Sequence, residues 1–477
     1  MIINLEKTYF FKVNNNHYVF DNNTSHLVPF SSEDYKVLRA LSLGENTSHF
    51  SVESLSYVQA LINTGMFVDK VSQDYQNINV YLNILKSQVS QLILVIAKDC
   101  NLRCKYCILG EHYNNNCLRY TSEKMNFETA KKAIDYFIEL NNKKMEHGFI
   151  NTPTITFYGG EPLLNFELIE EVVDYCKIRK YSVNFGITTN GTLFTDKTIS
   201  FLVDNNFSTT VSLDGNESET NRKRVFKNQI GAYSKIYKGV KKYIDYRNKN
   251  NPQSHLQFNA CYDCGSNLES ILDYFFNEFG DEFVLLNKID PYNTNYYDQF
   301  SEEDYKNFNY ITEKLKFKYL QCEENNSDGN YFRHANLFGL YSIFKKRYQG
   351  NIPDKRVPCM PGGKICVDPE GKFYICEKMC YTLPIGDVIN GLDSKKINKI
   401  IEDYIQIYTK NCKNCNVSQL CSMCFANTIS SDGKSLAFNK VFCKEQKRYI
   451  CDTIKNACSI LENNPQAFDY NKGGNLY

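Results

Sequence analysis

Between about residue 85 and residue 310 the chain alternates strand-length apolar runs with amphipathic stretches. The strand candidates are Leu92–Ala97, Thr154–Tyr158, Tyr181–Thr188, Ser208–Leu213, His255–Cys261 and Phe283–Ile289. The first, Leu-Ile-Leu-Val-Ile-Ala, is apolar throughout and partly β-branched, the signature of a strand buried on both faces of a parallel sheet. Between the runs lie helical patterns at Phe127–Leu140, Leu168–Lys177, Asp196–Val203, Tyr233–Tyr246 and Leu268–Phe279; in the first, Ala130, Ile134 and Phe137 share one face. Such repeated strand–helix units predict an α/β fold with a parallel sheet and right-handed crossovers. Six strands are too few to close an eight-stranded barrel, so a partial (β/α)6 barrel is expected.

The flanks read differently. Residues 1–80 show three short strand patterns, Tyr9–Val13, His17–Asp21 and Ser25–Pro29, then helical patterns at Ser32–Leu43 and Ser51–Thr64 and a last strand near Phe67–Val71. Ser31-Ser-Glu-Asp34 has capping-box spacing at the start of the first helix. Beyond the barrel, Asp304–Gln321 and Ala335–Tyr348 read as helices, and Gly473-Gly474 as part of a frayed tail.

Composition narrows the classes. A chain of 477 residues holds two to four domains of ordinary size. A formal charge of +1 gives no global field to draw nucleic acid or an acidic membrane, and no apolar run approaches the ~20 residues of a membrane span. The charged amino terminus lacks the apolar core of a signal peptide, so a cytoplasmic protein is expected. Nineteen cysteines, an odd number without a secretion signal, argue against a disulfide framework and for metal or iron–sulfur ligation.

Three of them, Cys100, Cys104 and Cys107, stand as C-x3-C-x2-C just past the carboxyl end of the first barrel strand, where α/β barrels place active sites. Three thiolates can hold three irons of a 4Fe–4S cube and leave the fourth open. The run, with Tyr106 before the last cysteine, resembles the signature of the radical S-adenosylmethionine (radical SAM) family. The resemblance implies that the open iron binds the amino and carboxylate groups of SAM, and that an electron from a ferredoxin or flavodoxin cleaves it to a 5′-deoxyadenosyl radical. Tyr158-Gly-Gly-Glu-Pro162 matches the family's GGEP-type turn, which assigns Gly159, Gly160 and Glu161 to the SAM amino group. Thr189 and Asn190 would lie near the ribose or methionine portion and Ser212 would donate to the carboxylate. Asp214 either orders its loop or faces substrate. Arg224 opens a run that resembles the family's arginine-to-glycine segment and would clamp the carboxylate, a pairing that suits a planar guanidinium. Cys261 and Cys264 form a C-x2-C at the end of the fifth strand, read either as a redox pair or, preferably, as buried thiols.

Eleven cysteines fall in residues 356–477. Cys359-x11-Gly371-x4-Cys376, Cys412-x2-Cys415-x5-Cys421-x2-Cys424 and Cys443 resemble the SPASM domain, with the last pair shortened as in radical SAM maturases of cysteine-rich peptides. This resemblance implies two auxiliary 4Fe–4S clusters, three in all: Cys359, Cys376 and Cys424 on the first, Cys412, Cys415, Cys421 and Cys443 on the second. The fourth ligand of the first stays open between Cys366, Cys380 and a substrate thiol. The expected organisation is a winged-helix-like leader-recognition domain (1–82), the barrel (83–310), a helical bridge (311–355) and the SPASM domain (356–477). The whole resembles a maturase that binds the leader of a ribosomally made precursor peptide as an added strand and joins a Cys sulfur to a carbon in a thioether. Two alternatives are an anaerobic sulfatase maturase making formylglycine and an iron–sulfur electron-transfer protein without turnover.

Overall fold

The computed structural model describes residues 3–68, 89–113, 119–145, 152–280, 282–291, 294–324, 361, 363–379 and 381–465. Six strands, β4 (Gln91–Ala97), β5 (Thr154–Gly159), β6 (Asn184–Thr189), β7 (Ser208–Ser212), β8 (Leu256–Tyr262) and β9 (Phe283–Lys288), lie side by side in sequence order. Every neighbouring pair among them is parallel. The crossovers run through helices α3 (Phe127–Met145), α4 (Phe166–Ile178), α5 (Asp196–Asp204), α7 (Tyr233–Asn250) and α8 (Leu268–Phe279). The apolar run of β4 is buried on both faces, as expected. Leu92, Leu94 and Ile96 join the helix-side core with Ala130, Ile134 and Phe137, whereas Ile93 and Val95 line a separate inner cluster with Cys366 and Tyr374.

Two boundaries differ from the expectation. The third barrel strand begins at Asn184 and not at Tyr181. Lys180 takes a left-handed φ of 56° and the Tyr181 N–H donates to the Cys176 carbonyl at 2.9 Å. That six-to-one bond closes α4 in a Schellman-type turn and delays the strand. The sheet also does not stop at six strands. On the β4 edge β10 (Lys364–Val367) adds in parallel, and β11 (Lys372–Tyr374), β12 (Gly386–Asp387) and β13 (Gly391–Leu392) continue antiparallel. The cysteine-rich region is thereby hydrogen-bonded into the barrel sheet. Its helices α10 (Ser394–Asn411) and α11 (Lys440–Asn463) carry apolar faces into the same structure.

At the amino end β1 (Thr8–Val13), β2 (Asn16–Asp21) and β3 (His26–Pro29) form an antiparallel meander, followed by α1 (Ser32–Leu43) and α2 (Val52–Asn63). The capping box is made: Ser31 Oγ accepts from the Asp34 N–H at 3.0 Å and Asp34 accepts from the Ser31 N–H at 2.7 Å. Val68 bridges Ile3 where the last strand was expected; residues 69–71, the helix at Ala335–Tyr348 and the Gly473-Gly474 tail lie outside the described residues. The barrel is followed by helix α9 (Glu302–Glu324). No helix among the described residues is long and apolar enough to cross a membrane.

Candidate active site

The cysteine loop leaves the carboxyl end of β4 and is held from two sides. On one side the turn after β5 docks on its base: the Gly160 N–H donates to the Ala97 carbonyl at 2.8 Å and the Glu161 N–H to the Asp99 carbonyl at 3.0 Å. A Cβ at Gly159 would lie 2.2 Å from the Ala97 oxygen and one at Gly160 2.3 Å from the Asp99 oxygen. The two glycines are therefore required by the approach of one backbone to another. On the other side the segment 223–226 lies along the loop, with the Arg103 N–H on the Val225 carbonyl at 2.7 Å and the Lys105 N–H on the Lys223 carbonyl at 2.9 Å.

Glu161 is fully buried and its carboxylate is nearly saturated. Oε1 accepts from the Leu163 N–H at 3.0 Å and the Thr189 hydroxyl at 2.7 Å, and Oε2 from the Asn190 N–H at 2.7 Å. A carboxylate has about four lone-pair directions, so one on Oε2 remains for a further donor. Burial raises its pKa to about 7, against the pull of these hydrogen bonds. Asn190 Nδ2 reaches Asn101 Oδ1 at 2.9 Å and stands 3.6 Å from Cys100 Sγ.

Arg224 meets the loop from the opposite wall. Its Nη1 is 3.8 Å from Cys104 Sγ, its Nη2 pairs with Asp214 at 3.1 Å, and its guanidinium carbon is 5.4 Å from the centre of the Tyr106 ring. Its Nε is buried without a hydrogen-bond partner. Asp214 is fully buried and accepts from the Tyr106 hydroxyl at 2.9 Å and the Cys261 N–H at 3.0 Å. These contacts tie Asp214 to the cysteine loop, to Arg224 and to the end of β8. Ser212 closes β7 beside Asn259, half-buried.

The Cys261 thiol stands by Tyr106, and burial followed by the Asp214 charge pushes it up to about 11. Cys264 is buried and meets the Tyr305 hydroxyl instead. Cys261 is half-buried and Cys264 buried, and the two thiols face different partners. Four residues that sequence reasoning passed over also shape the site. Tyr120 lies under Arg103, 3.9 Å from its guanidinium carbon, and meets Cys107. Lys223 is fully buried and donates to the Cys261 carbonyl at 2.6 Å. Tyr158 and Glu377 enter the same interior from β5 and from the turn after β11.

In the second cysteine field the Cys424 charge reaches Cys376, and burial, followed by Glu377, pushes Cys376 up to about 12. The Tyr404 hydroxyl donates to the Met423 carbonyl at 2.7 Å, and the charges of Cys421, Cys424 and Cys412 reach its phenol. Cys415 and Cys421 pack against the apolar side of the amino-terminal sheet, and Cys443 lies in the first turn of α11. Cys366 is buried in the inner cluster beside Ile93 and Val95; Cys359 and Cys380 lie outside the described residues.

The pattern that describes the Radical SAM superfamily matches residues 94–263, from β4 to the end of β8. This segment is a radical SAM domain. An uncharacterized protein of Methanocaldococcus jannaschii, MJ0907, is 29% identical over 65% of the chain and 93% of its own length. The radical SAM cyclopropyl synthase TigE of Paramaledivibacter caminithermalis is 25% identical over 78% of the chain and 76% of its own. A cysteine-type anaerobic sulfatase-maturating enzyme of Clostridium novyi is 25% identical over 78% of the chain and 97% of its own. The solved structure of anSMEcpe with bound AdoMet superposes with a TM-score of 0.56 at 17% identity, over 81% of this chain and all of that one, and shows the shared fold. The resemblance to radical SAM maturases is thus borne out by sequence relatives and by fold.

The radical SAM domain implies SAM and one 4Fe–4S cluster, and its residues fit both. Cys100, Cys104 and Cys107 are free thiols within reach of one another's charge. No trio of His, Cys, Asp or Glu among the described residues stands in metal-binding geometry, so the fit rests on the chemistry of the donors. Burial, with Glu161 adding, pushes Cys100 up to about 12, and burial raises Cys104 against the opposing Arg224. These cysteines would hold a cluster as thiolates, so its binding would be accompanied by release of their protons. The orphaned Arg224 Nε suits an anionic carboxylate, and the open Oε2 direction of Glu161 suits an ammonium.

Proposed function

We propose that the chain modifies a ribosomally made precursor peptide, joining a Cys sulfur to a carbon. The observation that carries this reading is the second thiol field joined to the SAM-site sheet. Strand β10 pairs with β4, and Cys376, two residues past β11, neighbours Cys424. In this reading Cys359, Cys376 and Cys424 hold one auxiliary cluster and Cys412, Cys415, Cys421 and Cys443 the other. When bound on the loop cluster, SAM supplies a radical that takes a hydrogen atom from carbon. Arg224 and Ser212 orient its carboxylate and Glu161 its ammonium. Thr189 and Asn190 hold Glu161 in place, and the Asp214–Tyr106 pair holds Arg224. The three-stranded meander, a winged-helix-like unit in this reading, offers an edge to which an extended leader can add.

A second reading, sulfatase maturation, is favoured by one observation. The Clostridium novyi enzyme matches along 97% of its own length, leaving about a fifth of this chain outside the alignment. One experiment separates the two. The anaerobically reconstituted chain is offered a short cysteine-rich precursor peptide, sought among the reading frames beside its gene, and, separately, a cysteine-containing sulfatase peptide. Loss of two hydrogens from the first, with its thiol no longer open to alkylation afterwards, supports thioether formation; formylglycine in the second supports maturation. Three cubanes predict about twelve irons per chain, and about four would sink the auxiliary-cluster assignment. Cys104→Ala is expected to abolish 5′-deoxyadenosine formation. Cys421→Ala should retain part of it and lose the peptide product; equal loss in both would count against separate cluster roles.

A further inference from the structure

Asp263 stands just past β8, between Cys261 and Cys264, and is fully buried. Four donors fill the lone-pair directions of its carboxylate. Arg222 grips it with both arms of its fork, Nη2 on Oδ1 at 2.8 Å and Nη1 on Oδ2 at 2.9 Å. The Gly265 N–H donates to Oδ1 at 2.9 Å and the Tyr296 hydroxyl to Oδ2 at 2.6 Å. Burial disfavours the charge, but Arg222 and Tyr296 outweigh it and hold the carboxyl below the ordinary carboxylate range. A carboxylate saturated in this way has no direction left for a ligand. What it can do is fix the distance between the groups that meet on it.

Those groups lead to the two ends of one stretch of the cysteine loop. Arg222 and Lys223 close helix α6 (Glu217–Lys223). The buried Lys223 ammonium is held by the Cys261 carbonyl at 2.6 Å, the Ser266 hydroxyl at 3.2 Å and Glu219 at 3.3 Å, and the Lys223 carbonyl accepts from the Lys105 N–H at 2.9 Å. On the other side the Tyr296 ring meets the His112 ring edge-on, with centroids 5.8 Å apart. The His112 carbonyl accepts from the Thr294 hydroxyl at 2.9 Å and the Asn295 N–H at 3.0 Å, and Thr294 Oγ1 accepts from the Tyr296 N–H at 3.0 Å. Lys105 and His112 bracket Cys107, whose carbonyl accepts from the Gly110 N–H at 2.8 Å. Asp and Lys are almost never fully buried unless paired. Here one of each is, and together they tie both ends of the same loop stretch to the end of β8. We propose that Asp263 is a positioning residue of the radical SAM site: by holding Arg222 and Tyr296 together it presets the backbone of residues 105–112, which carries Cys107, for the cluster and for SAM. This role rests on the radical SAM domain and is the same whichever peptide the chain modifies.

Two measurements test it. Amide exchange of the cluster-free chain reads the loop, and equilibrium dialysis of SAM against the reconstituted chain, with iron per chain measured alongside, reads the site. Asp263→Asn keeps the shape but turns an amide N–H2 toward the donors. Exchange over residues 103–112 is expected to speed about tenfold or more, the effect of losing a hydrogen bond to a charged group, while β5 and β6 keep their rates. The SAM Kd should rise by a similar factor with the iron content unchanged. Tyr296→Phe removes a single hydroxyl and should shift both quantities in the same direction by less. If Asp263→Asn does not fold, Tyr296→Phe decides by the same two measures. Faster exchange spread evenly over loop and strands would make Asp263 a stabilising group only and overturn the assignment. Unchanged exchange, or a loosened loop that binds SAM as the wild type does, would overturn it as well.

Discussion

Glu161 shows how a single buried group can tie stability to ligand binding. Its carboxyl is enclosed by the turn after β6, and burial outweighs three hydrogen bonds to lift its pKa from the ordinary 4.5 to about 7. A raised folded-state pKa means that the folded chain holds the proton more tightly than the unfolded one. The stability this contributes is fully present below pH 4.5 and is lost as pH rises through about 7. The upper bound is about 3 kcal/mol, at ~1.4 kcal/mol per unit. Chemical denaturation of the cluster-free chain from pH 5 to pH 8 should therefore show a falling contribution that Glu161→Gln removes. Parallel pH profiles for the two chains would contradict it. Arg224 carries a different constraint. Its flat guanidinium meets Asp214, Cys104 and the Tyr106 face together and still has Nε to give. An ammonium cannot span those directions. Arg224→Lys is expected to weaken SAM binding to the reconstituted chain about tenfold or more, one charge-assisted hydrogen bond's worth, as read by equilibrium dialysis.

At the scale of elements, the site depends on how closely two chain segments approach. The turn after β5 sits on the backbone of residues 97–99, and the space between them has no room for a methyl group. Gly160→Ala must push the Asp99 carbonyl away and with it the start of the cysteine loop. The expected loss is about 3 kcal/mol of stability, the upper range for overpacking, with fewer irons retained on reconstitution. Unchanged melting and iron content would show that the turn can yield. This turn was legible in the sequence because its residues are contiguous, and the structure adds that its glycines admit the backbone of residues 97–99. The barrel strands were legible for a related reason: strands buried on both faces are written as unbroken apolar runs, as in Leu92–Ala97. Strand β10 was not. Its Lys-Ile-Cys-Val is too short to declare itself, and its pairing with β4 joins residues more than 270 positions apart.

Across the whole molecule, the amino-terminal sheet is anchored to the cysteine-rich end of the chain. Phe11, Val13 and Phe20 share an apolar cluster with Val417, Leu420, Ile450, Ile454 and Cys458. Asn22 donates to the Ser418 hydroxyl at 2.9 Å and accepts from the Gln419 N–H at 2.9 Å, while Asn14, Asn16 and Tyr18 all donate to Glu462 on α11. The residues that receive the sheet, 416–420, are the five between Cys415 and Cys421. Whatever fixes those two thiols fixes the platform under β1 and β2. If Cys412, Cys415, Cys421 and Cys443 hold iron as proposed, its binding should tighten the sheet, although none of these residues belongs to it. Amide exchange over residues 8–22 should slow when the cluster-free chain is reconstituted, and Cys421→Ala should lose most of that slowing. Phe20→Ala, which empties a fully buried site on the sheet side, should cost about 3–5 kcal/mol locally and speed exchange with the iron content unchanged. Equal exchange over residues 8–22 with and without iron would mean that the platform is rigid on its own. A peptide held by this sheet would then have no mechanical link to the second thiol field beyond a shared scaffold.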